Sequence, residues 1–165
     1  MARKEDMTRG SDPLFGVFTL NEISVGVGGN NYRRSDIQLI QFFLRQFYKL
    51  HSELFVLLPK TKSNSNFILI DGDCGGQTKN GVLIFQKARK QLGLSIAVDG
   101  LVDVAHSNYA SISKTAYTIH RLNLWFMQFA EGKEHHGKLE NHPDIITYAP
   151  ELRTELAAAV VGNEF

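Results

Sequence analysis

Two carboxylates lie two residues apart in the segment Asp71-Gly72-Asp73, and a pair of carboxylates is a common device for acid–base catalysis. A glycoside hydrolase, however, needs its two carboxyl groups on opposite sides of a cleft. Side chains two residues apart in a tight Asp-Gly turn more often accept hydrogen bonds from the backbone N–H groups of that turn. The segment therefore predicts a structural turn rather than a catalytic pair.

A second candidate for chemistry is a histidine-rich segment. Its candidate metal ligands are Glu131, Glu134, His135, His136 and His142. Glu131 and His135 are four residues apart, which suits two ligands on one helix face. The neighbouring Gly132 and Gly137 favour a loop over a rigid helix, so a solvated loop is the preferred interpretation. We expect no metal and no other cofactor.

Nucleophilic chemistry has few candidates. Cys74 is the single cysteine, which excludes an internal disulfide and a cysteine-rich zinc site. No histidine lies close to it in the sequence to act as its base, so we expect it to pack as a small apolar residue. Ser111 and Ser113 are interpreted as helix caps. Trp125 is interpreted as a core residue, with stacking on a sugar as the alternative.

The segment Tyr32-Arg33-Arg34 precedes the first predicted helix. Paired arginines can bind a peptide carboxylate through charge-assisted hydrogen bonds, whereas a solvated helix start is the plainer alternative. Tyr32 and Arg33 remain candidate ligand-binding residues.

The charge balance excludes two classes of partner. Eighteen basic and 17 acidic side chains leave a formal net charge of +1, which provides no strong field towards nucleic acid or an anionic membrane. No segment approaches the roughly 20 apolar residues of a membrane span. The polar start of the sequence also lacks the apolar stretch of a secretory signal.

The chain divides into three predicted regions. Residues 1–13 are expected to be a disordered lead-in, 14–130 a single domain, and 131–165 a loop and C-terminal helix packed on it as an extension. A short strand is predicted within 14–23. The glycine-rich segment 25–31 has some of the spacing of a nucleotide loop, but the required acidic residue is not at a strand end, so a turn is preferred.

Apolar residues at three- and four-residue steps predict helices. The first begins with Ser35 as its N-cap and Asp36 in its first turn, and it ends before Pro59. Its predicted inward residues are Ile37, Ile40, Phe43 or Leu44, Phe47 and Leu50.

Three more helices follow in the prediction. One spans about Gln77 to Leu92 with Gly93 as its C-terminal cap, one runs from Ser111 or Ser113 to about Phe129, and a short one covers Pro150 to Val161. Their predicted inward residues are Val82, Phe85, Leu92, Ala116, Ile119, Leu122, Trp125 or Phe126, and Phe129.

Two Asp-Gly turns form an internal repeat. Asp71-Gly72 and Asp99-Gly100 each follow an apolar residue and each lead into a helix. Glycine can take the positive φ of such a turn, and the aspartate oxygen can accept from its backbone N–H groups. The repeat predicts two similar helix starts with unpaired N–H groups on one surface.

With these motifs the sequence resembles the peptidoglycan-binding domains of bacterial wall hydrolases and wall-associated proteins. The resemblance covers about residues 23–123. The positions that carry it are Val25-Gly26-Val27-Gly28-Gly29-Asn30-Asn31, Asp36, Ile40-Gln41, Asp71, Gly72, Cys74, Gly75, Thr78, Phe85-Gln86, Asp99, Gly100, Val102, Asp103, Thr118, Leu122 and Asn123. Gly76 and Val104 stand where the family has proline, and the connection from Val104 to Thr118 is longer than the family's.

The resemblance implies a mainly α fold with a small three-helix core and two Asp-Gly turn and helix repeats. The sequence pattern outside the resemblance adds a C-terminal helical extension and a short N-terminal strand. It also implies a non-catalytic module that binds the stem peptide or glycan of peptidoglycan. The expected ligand-binding residues are Tyr32, Arg33, Asp71, Gly72, Asp73, Gly75, Gln77, Thr78, Asp99, Gly100 and Asp103.

Two other functions stay open. A structural component of a phage or secretion machine could keep this fold without the ligand and use residues 124–165 as a partner surface. A wall hydrolase built on the histidine-rich segment is the less favoured alternative. Without a secretory signal, we expect a cytoplasmic protein or one that reaches the wall or periplasm by a signal-independent route.

Overall fold

The computed structural model describes residues 3–9, 12–19, 24–61, 65–103, 117–129 and 134–158, with the backbone alone for the first two ranges. This part of the chain is mainly helical, which confirms the predicted class. The family-specific three-helix arrangement stays a prediction. Among the described helices, none has the length and apolar character needed to cross a membrane.

Helix α1, Arg34–Leu50, lies at the centre of the fold, because every residue from Ser35 to Tyr48 is buried. It is therefore enclosed on all sides rather than along one predicted stripe. The predicted Ser35 cap is wrong: the cap position is Arg33, without a side-chain hydrogen bond. Leu50 was also predicted inward but is 56% exposed, since the buried part of the helix ends at Tyr48.

A short helix α2, Ser52–Phe55, precedes helix α3, Gly76–Gln91. The predicted cap at Gly93 is confirmed: its φ is +81°, and its N–H donates to the Lys90 carbonyl at 2.9 Å. Glycine accepts this left-handed conformation without steric cost.

The predicted inward residues of α3 are correct in part. Val82 and Phe85 are fully buried. Leu92 is 66% exposed, so that prediction is wrong. Leu92 is the residue after the last helical one, where the chain has already turned away from the core.

Helix α4, Thr118–Met127, begins later than predicted, because Tyr117 is extended. Ser111, Ser113 and Ala116 lie outside the described residues. The inward residues Ile119, Leu122, Trp125 and Phe126 are buried as predicted. Phe129 lies beyond the end of the helix and is 37% exposed.

The stretch before Pro150 was predicted to be a loop, but the structure has a 3-10 segment, His136–Asn141, and helix α5, Pro143–Tyr148. The His142 side chain accepts from the Asp144 N–H and caps α5, with proline in the first turn. Helix α6, Pro150–Ala158, starts where predicted.

Backbone pairing supplies the few strands. Strand β1, Arg3–Arg9, pairs antiparallel with β2, Asp12–Thr19, so residues 3–9 are not the expected disordered lead-in. Strand pairing uses the main-chain N–H and C=O groups, and polar side chains do not prevent it. The polar composition of residues 3–9 therefore did not predict β1. The predicted N-terminal strand corresponds to β2.

A second pair joins distant parts of the chain. Strand β3, Val25–Gly26, pairs antiparallel with β4, Leu101–Val102.

Aromatic packing joins α1 to its neighbours. The Phe47 ring meets the Phe85 ring of α3 at 5.0 Å and the Trp125 ring of α4 at 5.3 Å between centroids, both edge to face. The C-terminal segments share this core through fully buried side chains: Leu139, Ile145, Ala149, Leu152 and Leu156. The proposed division into domains stays a prediction.

Candidate functional site

The first Asp-Gly turn is held by a glutamine from α1. The Gln41 amide nitrogen donates to Asp71 Oδ1 at 2.9 Å, to the Asp73 carbonyl at 3.0 Å and to Thr78 Oγ1 at 3.1 Å. Its amide oxygen accepts from the Gly72 N–H at 2.9 Å. We call these five residues the first turn cluster.

The second Asp-Gly turn repeats this arrangement with a glutamine from α3. Gln86 Nε2 donates to Asp99 Oδ1 at 3.2 Å, to the Leu101 carbonyl at 3.0 Å and to Thr118 Oγ1 at 3.0 Å. Its Oε1 accepts from the Gly100 N–H at 2.7 Å. These five residues form the second turn cluster.

In both turns the aspartate also closes the local loop. Asp71 Oδ1 accepts from the Asp73 N–H, and Asp99 Oδ1 from the Leu101 N–H, each at 3.0 Å. Gln41 and Gln86 are almost fully buried, so each amide must satisfy its hydrogen-bonding groups within the protein. The repeat seen in the sequence is therefore a repeat of hydrogen bonding in space.

A cavity of about 380 Å³ opens beside the first turn cluster, at the start of α3. We call it the α3 pocket. Its walls are Gln41, Pro59, Lys60, Thr61, Leu69, Asp71, Asp73, Gly75, Gly76, Gln77 and Thr78. Its volume lies in the range of small-ligand sites, roughly 300–1,000 Å³.

The glycines at the α3 start leave the pocket open. A Cβ added at Gly75 would meet no atom within 4 Å, and one at Gly76 would meet only Pro59 Cγ at 3.8 Å. The N-cap Gly75 offers no side-chain cap, and the first turn contains no acidic residue. The free N–H groups and positive dipole end of α3 therefore lie at this pocket with no side-chain cap and no acidic residue in the first turn of the helix.

Charged groups of both signs line the α3 pocket. Asp73 has an 80% exposed side chain and a 3.5 Å ion pair with Arg34, a surface pair of little energetic weight. Lys60 is exposed and forms no ion pair with the described residues. The pocket thus presents side chains of both signs of charge.

The predicted ligand-binding residues fall into three places. The α3 pocket brings together Asp71, Asp73, Gly75, Gln77 and Thr78, with buried Gly72 directly behind them. Arg33 is directed away, towards Asp36 at 3.7 Å and Glu155 at 3.6 Å. Tyr32 is 69% exposed.

The remaining predicted residues, Asp99, Gly100 and Asp103, lie at the second turn, where β3 covers the backbone. The Val27 N–H donates to the Gly100 carbonyl at 2.9 Å. A Cβ added at Gly26 would come within 2.1 Å of that same oxygen. This close approach explains a glycine at position 26.

Asn31 completes the glycine-rich segment. Its side chain accepts from the Gly26 N–H at 2.8 Å and donates to the Gly26 and Gly29 carbonyls at 2.9 and 3.1 Å. The segment is therefore a turn closed by its own asparagine, in line with the preferred interpretation.

The sequence did not reveal the roles of four residues of this region. Gln41 and Gln86 were noted in the family pattern without a role, Arg34 was considered only as one of a pair of arginines for a peptide carboxylate, and Lys60 was not selected. Arg34 donates to the Asp71 carbonyl at 2.8 Å. Arg34 and Gln41 are seven residues apart, two helical turns, so they share a face of α1, and that spacing was the available signal. No sequence signal indicated Lys60, because its position at the pocket depends on the conformation of the loop that carries it.

The other candidates for chemistry gain no support. Burial raises the pKa of Cys74 above its ordinary value, which disfavours a nucleophilic thiolate. Within the described residues no group of three His, Cys, Asp or Glu side chains could hold a metal ion. Glu131 lies outside those residues.

Comparisons with family models, curated proteins and solved structures find no match for this chain.

Proposed function

We propose that this protein is a non-catalytic module that binds bacterial peptidoglycan through the α3 pocket. The observation that carries the proposal is the spatial repeat of the two turn clusters. Eight of the positions that carry the family resemblance also form the hydrogen bonds of the two clusters: Gln41, Asp71, Gly72, Thr78, Gln86, Asp99, Gly100 and Thr118. This overlap gives the sequence pattern a structural reason and supports the proposal.

The chemistry of the pocket supports a wall fragment as ligand. Stem peptides carry amide groups together with free carboxylates and, in many walls, a free amine. The pocket offers unpaired backbone donors at the α3 start, exposed carboxylates at Asp71 and Asp73, and the Lys60 ammonium. The net charge of +1 provides no comparable attraction for nucleic acid.

In this proposal the ligand-binding surface lies at the first turn only. At the second turn, backbone groups are already hydrogen-bonded to β3 and to Val27. Fewer of them are therefore accessible to a ligand. Asp99, Gly100 and Asp103 are accordingly assigned to the support of the fold in this proposal, and Tyr32 and Arg33 to its periphery.

Retention on insoluble peptidoglycan tests the proposal. The wild-type protein should sediment with the polymer, and Gly75→Phe should not, because Gly75 lines the pocket and a Cβ there meets no atom within 4 Å, so a ring attached to it should obstruct the pocket. Gly75→Ala is the matched control and should be retained. The proposal fails if wild-type retention equals that of a size-matched unrelated protein.

The alternative of a structural or interaction protein is favoured by one observation. The rings of Phe67 and Tyr148 lie on the Arg45 guanidinium, each at 4.8 Å, and both are nearly half exposed. The two rings form an exposed aromatic surface that a protein partner could cover. Stoichiometric co-purification of a partner that Tyr148→Ser releases would favour this function over wall binding.

A further inference from the structure

We propose that a cavity at the junction of α1 and α2 binds a segment of a protein partner that carries an apolar side chain next to a carboxylate. This cavity measures about 190 Å³ and shares no lining residue with the α3 pocket, so the inference does not depend on wall binding. We call it the α1–α2 pocket. Its walls are Arg45, Tyr48 and Lys49 of α1, Ser52 and Phe55 of α2, and residues 66–68 of the loop.

A buried arginine forms the charged wall of the α1–α2 pocket. Arg45 is only 8% exposed, and its guanidinium carbon lies 4.8 Å from the ring centres of both Phe67 and Tyr148. Its Nη1 donates to the Ile68 carbonyl at 2.9 Å, and its Nε forms an ion pair with Asp144 at 3.3 Å. Nη2 makes no hydrogen bond to the described residues. The guanidinium is therefore held in place by its surroundings, with one nitrogen left to donate to a carboxylate.

The charges beside the pocket do not balance. Lys49 Nζ lies 2.9 Å from Asp144 Oδ2, the same oxygen that Arg45 approaches. Burial alone would raise the pKa of Asp144, but hydrogen bonds and nearby positive charges lower it, so the carboxylate is ionised at neutral pH. The neighbouring Glu53 is paired with His51 at 3.2 Å and does not line the pocket. Two positive charges thus face one negative charge among the described residues, and a partner's carboxylate would restore the balance.

Exposed apolar side chains surround this positive charge. Val56 and Leu57 directly follow α2 and are 75% and 63% exposed. The Val56 N–H donates to the carbonyl of Ser52 at 3.4 Å, which keeps the two side chains beside the pocket. Phe67, on the opposite wall, is 48% exposed. Neighbouring apolar side chains exposed around a charged cavity are typical of a surface that binds another protein.

The size and lining of the pocket indicate what it binds. A volume of 190 Å³ lies below the roughly 300–1,000 Å³ of small-ligand sites, so the pocket suits one side chain. A small ligand there would leave Val56 and Leu57 in water, whereas a polypeptide segment can cover them as well. An apolar side chain alone would leave the positive charge unbalanced, and a carboxylate alone would leave the rings of Tyr48 and Phe55 uncovered. The proposed segment supplies both groups.

Selection from a display library of random heptapeptides on the intact protein tests the inference. We expect enrichment of sequences in which a phenylalanine, leucine or isoleucine stands next to an aspartate or glutamate. The most enriched peptide should bind at least about ten-fold more tightly than the same peptide with its carboxylate replaced by an amide, as expected for one charged hydrogen bond. In an NMR titration it should shift the amide resonances of Ser52 and Phe67 and leave that of Gly76 unchanged.

Variants separate the apolar and the charged contributions. Leu57→Ser should weaken the peptide about ten-fold, because it removes a leucine side chain that binding would bury. Leu92→Ser is the matched control, since Leu92 is 66% exposed at the end of α3, and it should bind like the wild type. Lys49→Gln should reduce the preference for the carboxylate peptide over its amide, whereas Lys90→Gln, an exposed lysine of α3, should keep it. This preference is a ratio measured on one protein, so a change in stability does not alter it.

Four outcomes would overturn the inference. The first is a selection without enrichment of sequences that pair an apolar with an acidic residue. The second is equal binding of the carboxylate and amide peptides. The third is equal weakening by Leu57→Ser and Leu92→Ser, or shifts at Gly76 in place of Ser52, which would put the peptide elsewhere. The fourth is a concentration-dependent dimer that Leu57→Ser abolishes and no peptide competes with, which would assign the surface to a second copy of this chain. Retention of Leu57→Ser on insoluble peptidoglycan should equal that of the wild type in every case, because wall binding is proposed for the α3 pocket.

Discussion

The two turn clusters make the same hydrogen bonds in different surroundings. In each, a buried glutamine spans an aspartate, a glycine N–H, a carbonyl and a threonine hydroxyl. The first opens onto the α3 pocket, whereas the second is covered by Val27 and paired through β3. The comparison teaches that the motif builds a helix start, and that its neighbours decide whether this start is accessible to a ligand.

The largest difference should be between replacing Gly26, which covers the second turn, and replacing Gly72, which lies in the first turn. Gly26→Ala places a Cβ 2.1 Å from the Gly100 carbonyl at a φ of +122°, so backbone must move. We expect a loss of about 4 kcal/mol, from positive-φ strain and overpacking together. Gly72→Ala, with a φ of +76° and only Arg34 side-chain atoms nearby, should lose about 1–2 kcal/mol. Urea unfolding of both variants measures the difference, and equal losses would contradict the contrast between the two turns.

Removing the glutamines should give the next effect. Gln86→Leu leaves the Asp99 and Gly100 N–H groups without their acceptor beneath β3, and should cost about 3 kcal/mol. Gln41→Leu should cost less, about 1–2 kcal/mol, because water in the α3 pocket can reach the freed groups. If thermal unfolding showed Gln41→Leu to be the more harmful change, the first turn would be the less accessible one.

Acid unfolding tests whether both turns belong to one cooperative unit. Burial alone would raise the pKa of Asp144, but hydrogen bonds from Gln46 and Lys49 and the charges of Lys49 and Arg45 hold it below its ordinary value. A lowered pKa stabilises the fold above the unfolded value, about 3.9, and that stabilisation is lost as the pH falls through the folded pKa.

Asp144→Asn should therefore be less stable at neutral pH and depend less on pH below about 4. In the wild type, the protection of the Gly72 and Gly100 amides from hydrogen exchange, relative to the intrinsic rate at each pH, should fall together as that stabilisation is lost. Loss of protection at one turn alone would mean that the turns unfold independently.

Local signals predicted what is local in this fold. The helical periodicity placed Ile37, Val82 and Ile119 in the core, and the Gly93 cap follows from glycine's conformational freedom. Exposure at helix ends was less predictable. Leu50 and Leu92 continue the apolar period but lie where the buried part of α1 or α3 has ended, and periodicity does not report where packing partners stop.

The candidate site was predicted in part for the same reason. Asp71, Asp73, Gly75, Gln77 and Thr78 are neighbours in sequence, and the turn and helix start that join them are local structures. Gln41 lies 30 residues before Asp71 along the chain, and Lys60 reaches the pocket by a loop. Such contacts depend on how α1 packs against the loop, which no local pattern encodes.

The mainly helical class and the two Asp-Gly turns can be read from the sequence, because helix periodicity and turn chemistry act over a few residues. Three features depend on the folded chain: α1 is enclosed on all sides, Gln41 and Gln86 hold the turns, and β3 covers one turn while the other borders a cavity. These features arise from long-range packing and from the cost of burying unpaired polar groups. At both turns a buried glutamine meets that cost for the backbone N–H of the turn glycine.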